Sequence, residues 1–139
     1  MLEAAVVVAV VAVVTVTAAP SLLAAWRVSV LSAGVAEVSA TLNRARQLAV
    51  TENTSVCVQS GGSGVRLRTR GCTGPVWTGP GTDSTGSIRV AGDLDVDGAP
   101  IVFTHLGAAA PAGTLTVRDR ATGRTRRVTV AATGQVSAR

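Results

Sequence analysis

Several residue types are rare or missing in this sequence. Lysine and tyrosine do not occur among its 139 residues, all 13 basic residues are arginine, and the aromatic content is two tryptophans and one phenylalanine. Alanine, valine and glycine dominate, so the core of a domain built from these small side chains will be thin. A GC-rich genome best explains the arginine-only usage. The net charge of +5 permits an acidic partner without requiring one.

Cysteine and histidine are too few for a metal site or for the usual catalytic sets. The two cysteines, Cys57 and Cys72, belong to no C-x-x-C motif, and the single histidine, His105, cannot complete a metal set with them. No acidic residue lies near His105 in sequence, and no serine stands in a nucleophile elbow. We therefore expect no enzymatic activity, no cofactor and no metal.

Cys57 and Cys72 themselves have two interpretations. In a domain exported across a membrane a disulfide is the natural state, and closing a loop of about 15 residues contributes roughly 3 kcal/mol. Two free, buried thiols would instead require a cytosolic protein. The N-terminal segment argues against the cytosol, so the sequence predicts a disulfide between these two residues.

The N-terminal segment is apolar and has one acid at its front. After Glu3 the chain contains only alanine and valine as far as Val14. The apolar segment continues past Pro20 to Ala25, and a helix of residues 4–25 is long enough to span a membrane. No basic residue precedes the run, so an ordinary secretory signal fits poorly. A carboxylate at a bilayer edge is costly, so Glu3 either pairs with a cation in a helix bundle or lies among the headgroups.

The hydrophobic pattern changes to a single stripe after residue 25. Residues 26–53 carry apolar positions at alternating spacings of three and four, which predicts an amphipathic continuation of the first helix to about Thr51. The positions of the stripe are Leu31, Val35, Val38, Leu42, Ala45 and Ala49. Together with residues 1–25, a hydrophobic membrane or filament helix, they make one long helix.

Residues 54–139 switch to a period of two with turn residues between short runs, which predicts an antiparallel β domain. The predicted strands are Ser55–Val58, Val65–Arg70, Ser87–Ala91, Ile101–Thr104, Leu115–Asp119 and Arg127–Ala131. Residues 71–86 are rich in Gly, Pro, Thr and Ser and are expected to form a loop that holds Trp77. The predicted fold class is therefore α+β.

Three stretches, taken in order, match the pattern of a known family. They are residues 1–8, with an apolar residue, an early Glu and a valine run; residues 42–50, with Ala45-Arg46 at a helix end; and a C-terminal set made of Ile101–Phe103, Leu106-Gly107, residues 126–130 and Thr133-Gly134. Together they resemble the GspH/FimT-type minor pseudopilins among the type IV pilin-like proteins. The resemblance covers nearly the whole chain and implies a pilin-like fold, one long N-terminal helix packed on a small antiparallel β domain.

The resemblance also implies a structural function. The chain is expected to be a minor subunit of a type II secretion pseudopilus or a type IV pilus, at or near the tip. Before assembly it would be held in the bacterial inner membrane by a single span, with the β domain outside the cytoplasm. Its partners would be other pilin or pseudopilin subunits, contacted through the N-terminal helix. The family's basic leader, ending in Gly and followed by Phe and Thr, is not among these 139 residues, and Met1 stands where the third mature residue is expected, so either the gene starts further upstream or the chain was trimmed.

For Glu3 the resemblance supplies a role in filament assembly. In pilin-like filaments the corresponding acid faces the N-terminal amine of the neighbouring subunit, which neutralises both charges inside an apolar helix bundle and helps to draw the subunit into the filament. The physical chemistry agrees, because a buried carboxylate needs a cation. A carboxylate that remains at the membrane edge is the alternative, and the resemblance favours the pairing role.

Arginines are concentrated in the β domain. Rows of arginine can hold phosphates, and some FimT-type proteins are DNA receptors for natural transformation through a Gly-Arg-x-Arg motif in the C-terminal tail. Here the tail reads Gly134-Gln135-Val136-Ser137, and the matching letters at residues 123–126 lie in the preceding hairpin. The arginine groups are Arg66, Arg68 and Arg70 on one strand face, Arg118 and Arg120 on another, and Arg124, Arg126 and Arg127 in the last hairpin.

Two alternatives to the filament role follow. The first is a DNA-binding minor pilin for natural transformation, suggested by Arg124, Arg126 and Arg127 in the last hairpin. Against it, Trp77 is the only aromatic residue of the β domain suited to stacking on bases. A solvated β face in an arginine-only protein explains the same residues and is favoured. The second alternative is a membrane-anchored β domain without a filament role.

An Asp-x-Asp-x-Asp-Gly motif at residues 93–98 matches the opening of a calcium loop. The position that needs a bidentate Glu is Thr104, so the loop is incomplete. Alternation of the acids with Leu94 and Val96 fits an exposed strand edge that enters an Asp-Gly turn. No metal is therefore expected at this motif.

Overall fold

The computed structural model describes residues 2–139, with the side chains of all of these except residues 2 and 15–19. The chain divides into two compact units, residues 1–30 and residues 31–139. One helix, α1, begins at Leu2 and ends at Thr51, as the sequence predicts. Eight strands follow it in the second unit. They are β1 (Val56–Gly61), β2 (Gly64–Thr69), β3 (Ser87–Arg89), β4 (Leu94–Gly98), β5 (Ile101–Phe103), β6 (Gly113–Asp119), β7 (Thr125–Val130) and β8 (Val136–Ala138).

The C-terminal end of α1 is closed by a left-handed residue. Asn53 has a φ of 49°, and the Thr54 amide donates a 3.0 Å hydrogen bond to the carbonyl of Ala49. Asparagine is one of the few residues other than glycine that adopts this conformation readily, and the returning hydrogen bond satisfies a carbonyl that the helix would leave without a partner. The chain therefore leaves the helix sharply and enters β1 at once.

The apolar stripe of α1 is the part of the helix that builds the core of the second unit. All six predicted positions are buried, with exposed fractions between 0% and 5%. Gly34, on the same part of the helix, lies so close to Leu94 of β4 that a Cβ would overlap that leucine's side chain. The prediction that residues 31–49 carry one buried face is confirmed.

The strands form two antiparallel sheets of four strands each, in the orders β3-β2-β1-β5 and β4-β6-β7-β8. Their buried faces and the helix stripe enclose the core, whose largest fully buried side chains include Phe103, Leu42, Leu67, Leu94 and Leu115. The turn between β1 and β2 joins the sheets, because the amide of Val96 donates to the carbonyl of Gly62 at 2.8 Å. The α+β class is confirmed, with two strands, β4 and β8, in addition to the six named from the sequence pattern.

Most strand ends differ from the prediction by one to three residues, those of β2 and β3 among them. The strand predicted over Ser87–Ala91 ends at Arg89, and the amide of Val90 donates to the carbonyl of Ser63, in the turn before β2. The strand predicted over Val65–Arg70 ends at Thr69, since Arg70 adopts a φ of 62°. Arg70 therefore does not continue the strand face that carries Arg66, and the predicted row of three arginines is wrong at its third member.

Candidate assembly helix and surface sites

The first unit consists of helix and presents an apolar surface. Its valines between residues 6 and 14 are 57–68% exposed. Contiguous apolar surface of this kind is unfavourable in water, and a lipid bilayer or other helices can cover it while the helix satisfies its own backbone. The exposed valines are Val6, Val7, Val8, Val10, Val11, Val13 and Val14.

Among the described residues, the segment Pro20–Thr51 is long and apolar enough to cross a membrane by length and composition alone, and Glu3–Val14 is a shorter apolar stretch. The stripe at residues 31–49, however, is buried in the second unit. A span that included this stripe would have to remove it from the core of the β domain. The assignment of residues 1–25 to the membrane or filament stays a prediction.

Glu3 lies in the first turn of α1 and is exposed. The partial positive charge at a helix N-terminus favours a carboxylate at this place. Within residues 2–139 no basic side chain forms an ion pair with it. A cation that neutralises Glu3 in an apolar surrounding would have to come from outside the described residues.

Arg44, at the flank of the helix stripe, holds the loop at residues 71–86. Its guanidinium lies over the Trp77 ring, 4.9 Å from the ring centre, and its Nη1 donates a 2.7 Å hydrogen bond to the carbonyl of Pro80. A cation above an indole face is a favourable arrangement, and the hydrogen bond fixes its direction. The sequence indicates that the loop holds Trp77 but does not reveal the helix residue that contacts it.

Arg46, two residues further along α1, brings together three motifs that carry the family resemblance. Its Nε donates a 2.9 Å hydrogen bond to the carbonyl of Gly107. Gly134 approaches the same carbonyl so closely that a Cβ would overlap it, and both glycines have a φ of +80°. The Ala45-Arg46 helix end, the Leu106-Gly107 loop and the Thr133-Gly134 turn therefore meet at one point. The contacts among these motifs hold the β domain against the helix, which gives the motifs a structural role.

A disulfide joins Cys57 to Cys72, 15 residues apart. Cys57 lies on β1 and is fully buried, whereas Cys72 lies in the loop that follows β2. Next to the bond, the Gln59 amide donates to the carbonyl of Cys72 at 3.2 Å. Arg68 donates to Gln59 Oε1 at 3.0 Å and to the carbonyl of Gly74 at 2.8 Å. Arg68 is therefore used inside the domain, where it helps to hold the loop.

The acidic motif on β4 binds an arginine. Arg120 forms an ion pair with Asp93 at 3.4 Å and a second, two-pronged one with Asp95. The hydrogen bond from Arg120 lowers the pKa of Asp95, and the same contact raises the pKa of Arg120. The alternation with Leu94 and Val96, both buried, makes this motif a strand at the edge of its sheet.

A second carboxylate organises the start of β3. The hydroxyl of Thr85 donates to Asp83 Oδ1 at 2.7 Å, and the amides of Thr85 and Ser87 donate to the same oxygen. Arg89 completes the set at 3.3 Å from Asp83 Oδ2. The Thr85 hydroxyl, followed by these other donors, holds the pKa of Asp83 well below its ordinary value.

The arginines of the last hairpin do not form one row. Arg124 precedes β7, while Arg126 and Arg127 are consecutive strand residues that face Val117 and Thr116 of β6. Consecutive strand residues point to opposite sides of a sheet. All three side chains are exposed. The hairpin therefore carries positive charge on both of its sides, without a single concentrated surface.

His105 is exposed in the loop after β5. Within the part of the chain that the structure describes, no group of three His, Cys, Asp or Glu side chains could hold a metal ion. The carboxylates of Asp83, Asp93 and Asp95 are occupied by arginine, and that of Asp83 also by backbone donors. The geometry around them is that of structural contacts.

Comparison with known proteins adds a family and a fold. The model of the family "Type II transport protein GspH" matches residues 35–134. The structure is similar to the type IV minor pilin FimU of Pseudomonas aeruginosa, at 18% identity and a TM-score of 0.58, covering 78% of this chain and 92% of that chain. It is also similar to the minor pseudopilin EpsH from the type 2 secretion system of Vibrio cholerae, at 13% identity and a TM-score of 0.59, covering 78% and 95%. These likenesses show the pilin-like fold. No sequence among curated proteins matches.

Proposed function

This chain belongs to the GspH family of type II transport proteins, and on that basis we propose that it is a structural minor subunit of a type II secretion pseudopilus or a type IV pilus. The two structural relatives, a minor pseudopilin and a minor pilin, support both machines equally. The proposed role is structural rather than enzymatic. A minor component enters a filament in few copies, and such a subunit suits an end of the filament better than the shaft. We therefore place it at or near the tip.

The observation that carries this proposal is the exposed apolar helix surface that begins directly after Glu3. The valines between residues 6 and 14 are all more than half exposed, whereas the apolar stripe at residues 31–49 is already buried. Such a helix needs two successive surroundings of similar polarity, a bilayer before assembly and the helices of other subunits afterwards. The β domain, which carries the disulfide, would lie outside the cytoplasm.

Glu3 is the residue whose carboxylate would have different requirements in the bilayer and in the helix bundle. In the bilayer its carboxylate can remain at the headgroups, but inside a helix bundle it needs a cation. We propose that the N-terminal amine of the neighbouring subunit supplies this cation. Pairing neutralises two charges at once, so it favours the assembled position over the membrane position.

Membership in a filament can be tested on the wild-type chain. Cells of the native host are sheared, filaments are separated from membranes, and the chain is detected with an antibody to the β domain. We expect the chain in both fractions, and we expect it to leave the filament fraction when the assembly ATPase is deleted. A chain found in membranes alone, under conditions in which filaments form, would favour the membrane-anchored β domain without a filament role.

DNA uptake is a second candidate function, motivated by the exposed Arg124, Arg126 and Arg127. No ion pair occupies their guanidinium groups within the described part of the chain. Because their charges are divided between two sides of the hairpin and no aromatic residue accompanies them, we expect weak, non-specific binding, with a dissociation constant of roughly 10⁻⁴–10⁻⁶ M at physiological salt. Titration of a labelled duplex at two salt concentrations measures it. Sub-micromolar binding that is lost in Arg124→Ala/Arg126→Ala would promote DNA uptake to the first place.

A further inference from the structure

A small polar pocket lies on the β3-β2-β1-β5 sheet, near the turn between β1 and β2. Its volume is about 150 Å³. No residue of α1 and none of the last hairpin lines it, so it is separate from the apolar helix surface and from the arginines of that hairpin. The lining residues are Gln59, Ser60, Gly61, Gly64, Arg66 and Ser87.

Arg66 is the residue that gives this pocket a chemical preference. Its Nε is buried, and no acceptor within the described residues lies in hydrogen-bond reach of it. The register places Arg66 between Gln59 of β1 and Ser87 of β3. A guanidinium N–H that is shielded from water is costly without an acceptor, so this position favours a bound group that supplies one.

Two side-chain acceptors, on β1 and in the loop before β3, are already engaged by other donors. Gln59 Oε1 accepts a hydrogen bond from Arg68. The two oxygens of Asp83 accept from Thr85, from the amide of Ser87 and from Arg89. The amide oxygen of Gln59 and the carboxylate of Asp83 therefore already accept from donors other than Arg66.

The remaining walls suit a small anion. The hydroxyl of Ser87 stands beside Arg66 as a second donor, and Gly61 and Gly64 leave the floor of the pocket without side chains. A Cβ on Gly64 would lie 2.8 Å from the Ser87 Oγ. Arg89, which faces Gly64 in the register, lies on the same side of the sheet, where its charge is paired with Asp83.

We propose that this pocket binds one compact oxyanion, no larger than phosphate, with Arg66 as the principal ligand and Ser87 as the second donor. Guanidinium and hydroxyl donors around a small space are the groups that recognise a carboxylate or phosphate oxygen. The oxyanion is either dissolved in the surrounding medium or the carboxylate of an acidic side chain on a neighbouring subunit. Binding of an oxyanion goes beyond the filament role and does not depend on it, whereas supply of the oxyanion by a neighbouring subunit rests on that proposed role.

Titration of the full chain in detergent micelles with inorganic phosphate, at constant ionic strength, tests the proposal. The signals of the arginine Nε–H groups are followed by NMR, and the Arg66 signal is assigned by its loss in Arg66→Lys. We expect a saturable shift of this signal. We also expect affinity, measured on the backbone amides of the pocket, to fall about tenfold or more in Arg66→Lys, which keeps the charge but loses Nε. Arg70→Lys, outside the pocket, is the matched control and should bind as the wild type does.

A second variant tests the space itself. A Cβ on Gly61 meets no atom within 4 Å, so Gly61→Val adds a side chain to the pocket without a clash at that atom. We expect it to abolish saturable phosphate binding while the unfolding midpoint stays close to that of the wild type. A linear response to phosphate in the wild-type chain, or unchanged binding in both Arg66→Lys and Gly61→Val, overturns the proposal.

Filament recovery separates the two sources of the oxyanion. If a neighbouring subunit supplies a carboxylate, Arg66→Lys should lower the amount of chain in sheared filaments relative to Arg70→Lys. If the anion is a dissolved one, the two variants should enter filaments equally. The phosphate titration decides whether the pocket binds an oxyanion, and this assay then identifies where the oxyanion comes from.

Discussion

Gly123 and Gly134 have the same backbone conformation but different surroundings. Their φ angles are +71° and +80°, in the left-handed region that side chains with a Cβ rarely adopt. A Cβ on Gly123 would meet no atom within 4 Å, whereas one on Gly134 would overlap the carbonyl of Gly107. Conformation alone therefore requires glycine in the first turn. Conformation and close packing together require it in the second.

This difference predicts unequal effects of the same substitution. Gly123→Ala should cost about 1–2 kcal/mol of unfolding free energy, which is the strain of a left-handed alanine. Gly134→Ala should cost more, because the turn must also move away from Gly107 and Arg46. Denaturant unfolding of the full chain in detergent, followed by tryptophan fluorescence, measures both. Equal losses would mean that the contact at Gly107 contributes nothing to stability.

At the scale of the element, the β1–β2 hairpin and the loop after it depend on the Cys57–Cys72 disulfide. The loop has little regular structure, and its contacts with the hairpin include the disulfide, the hydrogen bonds of Arg68 and Gln59, and the short pairing of Val76 with Arg68. A cross-link that closes about 15 residues lowers the entropy of the unfolded chain by an amount worth roughly 3 kcal/mol. In a thin core this is a large share of the total stability.

We therefore expect Cys57→Ala/Cys72→Ser to lose about 3 kcal/mol of unfolding free energy, and reduction of the wild-type chain to have a similar effect. Alanine at position 57 avoids a hydroxyl at a fully buried site. Intact mass before and after reduction and alkylation checks the bond directly. If the oxidised chain takes up alkylating reagent at both cysteines without reduction, the disulfide does not form in solution.

The predictability of an element from the sequence depends on whether its signal is local. The helix stripe at residues 31–49 has a clear period, and all of its positions are buried as predicted. Strand β8 has only three residues and follows a turn closely, so it has too few residues to show a period. The contacts of Arg44 with Trp77 and of Arg46 with Gly107 join residues more than 30 positions apart, and no local pattern reports them.

The candidate sites follow the same rule. The sequence identifies Glu3 because an acid at the front of an apolar run is visible locally. It identifies Arg66 only as one of a row, and it cannot show that Arg68 is used inside the domain while the Arg66 Nε is left without an acceptor among the described residues. That distinction depends on which neighbours the two adjacent strands bring to each side chain.

At the scale of the whole molecule, the two units have different requirements. The second unit buries its own stripe and sheets, and the first unit keeps its valines exposed. A chain built in this way is incomplete until a bilayer or other helices cover residues 3–14. The central claim is that Glu3 drives the transfer from the first of these surroundings to the second, because its carboxylate gains a cation only in the filament.

Fractionation of Glu3→Ala and Glu3→Gln cells tests this claim most directly. Glu52→Ala, which removes an exposed acid just beyond the end of α1, is the matched control. Membrane insertion should be unchanged in all three variants, since it depends on the apolar run and removal of a charge does not oppose it. The account predicts that both Glu3 variants are depleted from sheared filaments while Glu52→Ala enters them normally. Equal amounts of wild type and Glu3 variants in the membrane and filament fractions would contradict it.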